Sequence, residues 1–235
     1  MAPSPTTTFK TKEEYVAEVL REGILAGRFP RGARLKQAEI AQMLDISITP
    51  VREAFRILDA EGYVLSITHR GVVVAPFDAS TTREIMELRV MLESLLAAAA
   101  MQNMTRQDAA ELAKLQRDFE KAIARGDRLS VRAINYRFHS HLYSLAQRPQ
   151  TLHFVQVLWA KYPFDLINLI ANRPGRAARE HAAILKAIAR RDQKALLAAV
   201  RDHIEAGWQE LNKDLKSGKS PATRQAPRRR AREDH

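Results

Sequence analysis

The amino-acid sequence predicts a mainly α-helical protein of two domains, with one short β-hairpin near residue 70. Three observations carry this prediction. Apolar residues recur at spacings of three and four over most of the chain, which is typical of amphipathic helices. β-Branched and aromatic residues cluster only in the segments 63–67 and 72–75. The chain has 235 residues, more than the roughly 100 to 150 of a usual single domain. A parallel α/β nucleotide-binding fold is not expected.

Three helices are predicted in the first domain, near residues 11–26, 40–44 and 47–60. Gly27 ends the first helix, since glycine is common directly after a helix C-terminus. Pro50 is tolerated in the first turn of the third helix, which Ser47 or Thr49 caps. The tight turn between the last two helices and the hairpin that follows them predict a winged helix-turn-helix with a two-stranded wing, over residues 9–77.

The second domain, residues 78–214, is predicted to be an antiparallel bundle of six to seven helices. After a first helix from about Ser80, the expected helices lie near residues 105–125, 127–147, 151–171, 175–191 and 193–214. Thr105 and Asp108 have the spacing of a capping box, and Pro163 is expected to kink the helix that contains it. Residues 215–235 are basic and lack apolar residues to bury, so they predict a disordered tail.

Charge and composition limit the classes of function. The net charge is +11, which suggests an anionic partner, yet residues 1–77 carry 10 basic against 9 acidic residues, and the excess is densest in the tail. The absence of cysteine excludes disulfides and thiolate sites. No apolar run approaches the ~20 residues of a membrane span, and the N-terminus lacks the pattern of a signal peptide, so a cytoplasmic location is expected.

The third helix carries a candidate DNA-binding face. Val51 and Phe55 fall on its apolar side, whereas Arg52 and Arg56 lie one turn apart on its polar side. Arginine binds guanine or phosphate, and the second helix of a helix-turn-helix enters the major groove. From spacing alone, an ordinary amphipathic surface helix explains the pattern equally well. The candidate DNA-binding residues are Arg34, Ser47, Thr49, Arg52, Arg56, His69, Arg70 and Gly71.

Polar residues on the bundle helices form a candidate metal site. Asn135 and His139 are four residues apart and so share a helix face, while His181 and His203 each accompany apolar stripes on later helices. Metal ligands in a bundle project inward from facing helices, and neutral imidazole binds Zn, Ni, Cu or Fe. Spacing alone favours three separate core histidines. His141 and His153 lie outside the pattern and are expected at the surface.

Arg89 interrupts the apolar seam of the first bundle helix between Leu88 and Leu92. A cation so close to the core needs an anionic partner, which is either Glu93 in an ion pair or a bound effector. Asn168, Asn172 and Tyr162 are further candidates for polar contacts with an effector.

The run Ser47-Ile48-Thr49-Pro50-Val51-Arg52-Glu53-Ala54-Phe55, followed by Leu58, Glu61-Gly62 and Arg70-Gly71, resembles the winged helix of the GntR superfamily. The helical part resembles the FadR subfamily with its FCD domain, and the resemblance covers about residues 11–214. It implies a homodimeric transcription factor that binds double-stranded operator DNA, usually a repressor released by a small carboxylate. Ile48 stands where this family often has a basic residue, so base readout there is expected to differ.

The resemblance also implies a metal site, because many FCD domains bind a metal through an Asp or Asn, a His four residues later, and a His on each of two later helices. Asn135, His139, His181 and His203 match these positions, with Asn in place of the commoner Asp. A divalent transition metal, Zn or Ni, is the expected cofactor, and Arg89 is the expected contact for the effector carboxylate.

The sequence leaves three alternative functions open. The same fold can serve as a metal-free ligand sensor, or as a sensor of the metal ion itself. Three histidines with open coordination positions are also compatible with a metal-dependent hydrolase, but no carboxylate stands at a spacing that would make it the general base. The sequence therefore predicts a regulator rather than an enzyme.

Overall fold

The computed structural model describes residues 11–68, 71–167, 170 and 172–217. The N-terminal part contains α1 Lys12–Leu25, β1 Arg34–Leu35, α2 Gln37–Leu44, α3 Ile48–Glu61, β2 Val64–Ile67 and β3 Gly71–Val74. A 3₁₀ turn, Ala79–Thr81, leads into the bundle helices α4 Thr82–Asn103, α5 Arg106–Ala124, α6 Arg128–Ser144, α7 Pro149–Lys161, α8 Phe164–Ile167, α9 Arg173–Ala189 and α10 Gln193–Ser217. The predicted helical fold is confirmed.

The core of the N-terminal domain forms where α1 packs against α3. Val16 and Leu20 of α1 and Val51 and Leu58 of α3 are fully buried, as their helical spacing predicted. Helix α3 ends at Gly62, whose φ of 82° is a left-handed value that glycine adopts at little cost. The tight packing of α1 on α3 fixes the orientation of the polar face of α3.

The wing is a three-stranded antiparallel sheet with the order β1-β3-β2, so the predicted two-stranded wing was incomplete. In the hairpin, Ser66 pairs with Val72, as expected. The additional strand pairs Arg34 with Val73. With only two residues, β1 is too short to show the alternation of polar and apolar residues by which strands are recognised in a sequence.

The C-terminal domain is the expected helical bundle, with α10 packed against α4 and α9. The capping box is confirmed, because the Thr105 side chain accepts from the Asp108 backbone and the Asp108 carboxylate accepts from the Thr105 backbone. The kink expected at Pro163 is instead a break between α7 and α8. Proline removes a helical hydrogen bond and disfavours a helical residue before it, and Tyr162 is accordingly extended.

The two domains are joined by polar contacts from α6 and α8. The Tyr136 hydroxyl donates to Glu18 of α1 at 2.8 Å, and Arg137 donates to Glu22 at 2.8 Å. Arg31, from the loop after α1, donates to Asp165 in α8 at 3.0 Å. Helix α1 is thereby tied to the bundle. Within the described ranges, no helix is long and apolar enough to cross a membrane.

Candidate DNA-binding surface and ligand site

The polar face of α3 is accessible, as a DNA-binding helix requires. Arg52 and Arg56 are exposed, whereas Val51 and Phe55 on the other side are buried. Glu53 lies 3.5 Å from Arg52 and 3.0 Å from Arg56. Exposed ion pairs of this kind contribute only about 0 to 1 kcal/mol, so both arginines can exchange Glu53 for a phosphate or a base edge at little cost.

The other predicted DNA-binding residues border this face. Ser47 is the N-cap of α3 and makes no capping hydrogen bond with its side chain, and Thr49 is exposed in the first turn. Ile48 is 50% exposed, so an apolar side chain stands at the entry of the helix. Arg34 in β1 lies along Gly71 of the wing, and both are exposed. His69 and Arg70, predicted at the tip of the wing, lie outside the described residues.

Three predicted ligand histidines meet in the core of the bundle. His139 of α6, His181 of α9 and His203 of α10 are all buried, and their ring nitrogens lie within 4.8 Å of one another. His139 Nε2 and His181 Nε2 are 3.2 Å apart. Burial holds the pKa of His139 and of His181 well below the ordinary value, and it lowers the pKa of His203. The nearby Arg173 guanidinium lowers each pKa further. The three imidazoles are therefore neutral at neutral pH.

Two side chains that the sequence did not single out orient these imidazoles. Gln116 of α5 donates through Nε2 to Glu120 and Ala178, so its Oε1 faces His181 Nδ1 at 3.2 Å. Glu180 Oε2 lies 2.6 Å from His203 Nδ1. Both oxygens accept, so the Nδ1 atoms carry the protons and the Nε2 lone pairs face the cluster.

The pKa of Glu180 shows that its carboxylate stays charged. Burial alone would raise this pKa, but hydrogen bonds from His203 and Arg173 lower it to about 2. An ionised carboxylate behind an imidazole is the usual partner of a metal-binding histidine, because it fixes the tautomer and raises the basicity of the ring.

The donor set fits a transition-metal ion. Ligand nitrogens at ~2.0–2.1 Å from a tetrahedral ion lie roughly 3.3 Å apart, close to the 3.2 Å between His139 Nε2 and His181 Nε2. His139 Nδ1 is buried without a hydrogen-bond partner among the described residues. With the His181 proton on Nδ1, His139 donates from Nε2 to His181 Nε2, which leaves His139 Nδ1 without a partner within the described ranges. A cation held by both Nε2 atoms would take the place of that shared proton. Asn135 borders the cavity beside His139 and His203.

Arg89 occupies a buried cluster beside the histidines. Its Nε donates to Glu93 at 2.7 Å, and Glu93 also accepts from Tyr143 at 2.9 Å and from Trp159 at 2.9 Å. The guanidinium carbon lies 4.5 Å from the ring centre of Tyr162. The ion pair with Glu93 is present, and Arg89 also borders the cavity, so the structural and the ligand-binding interpretations are compatible.

The cavity has two halves that share Arg89, Asn135 and Phe164. The first half is bordered by largely apolar side chains. The second half is bordered by His203, Arg173 and Tyr162. Arg173 donates to both oxygens of Glu180 at 2.7 and 2.8 Å, and the buried Tyr162 hydroxyl has no hydrogen-bond partner among the described residues. Two arginines and this hydroxyl thus border the second half, a set of donors that suits an anion.

Not every predicted position enters this cavity. Asn172 is exposed at the N-cap of α9, with a left-handed φ of 60°, and lies away from both halves; Asn168 is outside the described residues. His153 is exposed, as expected, but His141 is buried, so its assignment to the surface was wrong. Two residues from His139 on a helix, it faces another side of α6, which α5 covers.

Comparison with known proteins agrees with this architecture. A model described as "Bacterial regulatory proteins, gntR family" matches residues 12–74, and one described as "FCD domain" matches residues 84–206. The regulator YdhC of Bacillus subtilis is 26% identical over 211 residues, 85% of this chain and 91% of its own length. The probable D-xylose utilization operon repressor of Paenarthrobacter nicotinovorans is 28% identical, covering 87% of this chain and 91% of its own length.

Solved structures show the same fold. The Escherichia coli protein McbR/YncC superposes with a TM-score of 0.75 at 24% identity, over 88% of this chain and 99% of its own. A GntR regulator from Rhodococcus superposes with a TM-score of 0.63 at 26% identity, over 86% of this chain and 98% of its own. The chain therefore belongs to the GntR family, as a DNA-binding transcription regulator with an FCD domain behind its winged helix, and it is not an enzyme.

Proposed function

We propose that the protein is a homodimeric repressor, released from its operator by a small carboxylate that binds in the bundle beside a divalent transition metal. The observation that carries this proposal is the position of Arg89, a buried cation at the edge of a cavity that His139 and His203 also border. Among the described residues, its guanidinium makes hydrogen bonds only through Nε, to Glu93. Its terminal nitrogens are therefore available to a carboxylate, the anion whose geometry a guanidinium matches.

His139, His181 and His203 would hold the metal through Nε2, with the Asn135 carbonyl as an oxygen ligand. A bound ion would offer open coordination positions to an oxygen of the effector. Zn and Ni both accept such a ligand set. The neutral amide of Asn135 lacks the charge of a carboxylate, so Asn135→Asp is expected to strengthen metal binding.

The test of the metal site combines element analysis with operator release. Replacing His139, His181 or His203 by Ala should lower metal content to a similar degree, because each supplies one of four ligands. These variants should still bind operator but no longer release it when carboxylate is added. His153→Ala, at an exposed position outside the cluster, is the matched control and should behave like the wild type. A wild-type protein that takes up no metal on titration and still responds to its carboxylate in chelator would contradict the metal proposal.

The exposed side of α4 supports a homodimer. Leu88, Met91 and Leu95 are 39%, 65% and 50% exposed, and their spacing of three and four residues aligns them in one stripe. The stripe is self-complementary, since an antiparallel copy of α4 would place Met91 against Leu95 and Leu88 against the small Ala98. Such an isologous contact has the two-fold symmetry of a palindromic operator.

Sedimentation velocity tests this interface. Met91→Glu would place two charges at the centre of the contact, so we expect a monomer with weakened operator binding. Phe154→Glu is the matched control, because Phe154 is equally exposed at 58% but lies on α7. A Met91→Glu protein that remains dimeric would show that α4 does not form the dimer interface.

A further inference from the structure

The apolar half of the cavity is closed by a residue of the DNA-binding domain. Its walls are the side chains of Tyr136, Trp159 and Phe164 from the bundle and Leu25 from α1. Leu25 is the last residue of α1 and is 3% exposed. The cavity of the bundle therefore reaches the end of α1, and a ligand in this half would lie against Leu25.

The residues of α6 that border the cavity show the direction in which the cavity extends. Arg132, Asn135 and His139 are spaced by three and four residues, so they share one face of the helix, and all three border the apolar half. Seven residues of helix separate His139 from Arg132, a rise of roughly 10 Å. Arg132 lies 3.3 Å from the position of a Cβ on Gly27, beside the end of α1. The cavity thus runs from the histidines and Arg89 to α1.

We infer that the effector is a carboxylic acid with an apolar body, alkyl or aryl, whose carboxylate binds at Arg89 and whose body contacts Leu25. This inference rests on the proposed function, since it takes the carboxylate position from it. An acid without such a body would leave the apolar walls unfilled. The buried Nε of Arg132, which has no partner among the described residues, can donate to an oxygen at the far end of the ligand.

The position of Leu25 also explains how binding reaches the DNA. Helix α1 packs against α3, which carries Arg52 and Arg56, and it is held to α6 by Tyr136 and Glu18. A body that presses on Leu25 moves α1 relative to α6. The length of the body, and not the carboxylate alone, would then determine operator release.

A chain-length series tests this inference. The probes are acetate, butyrate, hexanoate and phenylacetate, with 2-phenylethanol as the uncharged match of phenylacetate. We expect calorimetric affinity for the full-length protein to rise roughly fourfold per buried methylene, as expected for removing apolar surface from water. Operator release, measured by fluorescence anisotropy, should follow the same order, and 2-phenylethanol should bind at least tenfold more weakly than phenylacetate.

Leu25→Ala should reduce the gain from acetate to hexanoate several-fold, because one of the apolar walls is lost, while leaving acetate affinity unchanged. Leu20→Ala is the matched control, because Leu20 is buried in α1 but does not border the cavity. Leu25→Val and Leu20→Val serve the same comparison if either alanine variant unfolds. Equal affinities for acetate and hexanoate in the wild type, or a length dependence in the Leu25 variant no smaller than in its Leu20 counterpart, would overturn the inference and leave the proposed function standing. If no carboxylate binds or releases operator, the proposed function fails and takes the inference with it.

Discussion

The DNA-binding face and the ligand site use the same kinds of side chain in opposite surroundings. On α3, the candidate contacts come from one short segment, residues 47–56, and their charges are exposed. The ligand site draws its charged and polar groups from five helices, α4, α5, α6, α9 and α10, and buries most of them. An exposed charge is already solvated and is free to meet DNA, whereas a buried charge depends on a partner from another helix. Mutations of these charged residues should therefore lower the free energy of unfolding strongly in the bundle and only slightly on α3.

The largest effect is expected for Glu93→Gln in α4. This change leaves Arg89 buried without its counter-ion, and removing one member of a buried pair costs about 3 to 5 kcal/mol of unfolding free energy. Equilibrium urea unfolding measures the loss.

Helix α4 contains a matched control. Arg83 and Glu87 have the same i, i+4 spacing at 3.0 Å, but their side chains are 76% and 55% exposed. Glu87→Gln should therefore cost at most about 1 kcal/mol. Similar losses for the two variants would show that burial does not distinguish these pairs and would break the comparison.

Arg52→Ala in α3 should have the opposite effect: it should leave the stability of the fold nearly unchanged and weaken operator binding. Its exposed side chain contributes little to folding, so the unfolding free energy should change by at most ~0.5 kcal/mol. Operator affinity should fall by about 1 to 3 kcal/mol, with relaxed specificity at one base pair if the contact is to a base. Arg117→Ala, an exposed arginine on α5, is the control and should leave binding unchanged. Retained operator affinity in Arg52→Ala would remove α3 from the DNA interface.

The contrast between the two regions also explains what the sequence could predict. The helix-turn-helix and the capping box are local patterns, so periodicity and spacing located α3 and the start of α5. Each of the three histidines accompanies an apolar stripe, but spacing alone favoured separate core histidines. Their shared site was predicted from the resemblance to FCD domains, because their meeting depends on how the helices pack. The third strand of the wing left no signal in two residues.

The sequence did not predict three residues of the site, Gln116, Arg173 and Glu180. Their partners lie on other helices, or their spacing belongs to no known motif. Arg173 and Glu180 are seven residues apart, two turns of one helix face, and that spacing was the available signal. Gln116 gave no signal in the sequence, since its contact partner His181 lies 65 residues away. Arg89 was recognised from sequence as an interruption of an apolar seam, and Tyr162 as a candidate polar contact, but Phe164, whose ring centre lies 4.8 Å from the guanidinium, was not.

Gln116→Leu should weaken the metal site without removing a ligand. The variant loses the oxygen that orients His181 at 3.2 Å, and outer partners of metal-binding histidines typically contribute 10- to 100-fold in affinity. Competition with a chromophoric chelator measures this change. Arg117→Ala is the control, because Arg117 is exposed on the same helix, outside the contacts of Gln116 and His181. A metal affinity equal to that of the wild type would show that His181 needs no positioning from α5.

The smallest effect is expected at the capping box of α5, the most local of these features. The hydrogen bond from Thr105, with a smaller contribution from its backbone, lowers the pKa of the Asp108 carboxyl. A carboxyl whose pKa is lowered by folding stabilises the native state above its unfolded pKa, and this stabilisation is lost as the pH falls through the folded value.

Thr105→Ala should therefore cost about 1 kcal/mol of unfolding free energy near neutral pH, the usual contribution of an N-cap. It should also raise the pKa of Asp108 toward its ordinary value, because the donor is gone. An NMR titration of the Asp108 carboxyl carbon measures this shift, with Thr151→Ala in α7 as the control that should leave it unchanged. Since the lost contact involves only residues of α5 and its cap, metal content and operator binding should match the wild type. A change in either would mean that even this local motif is coupled to the site assembled from five helices, and the distinction between the two regions would no longer hold.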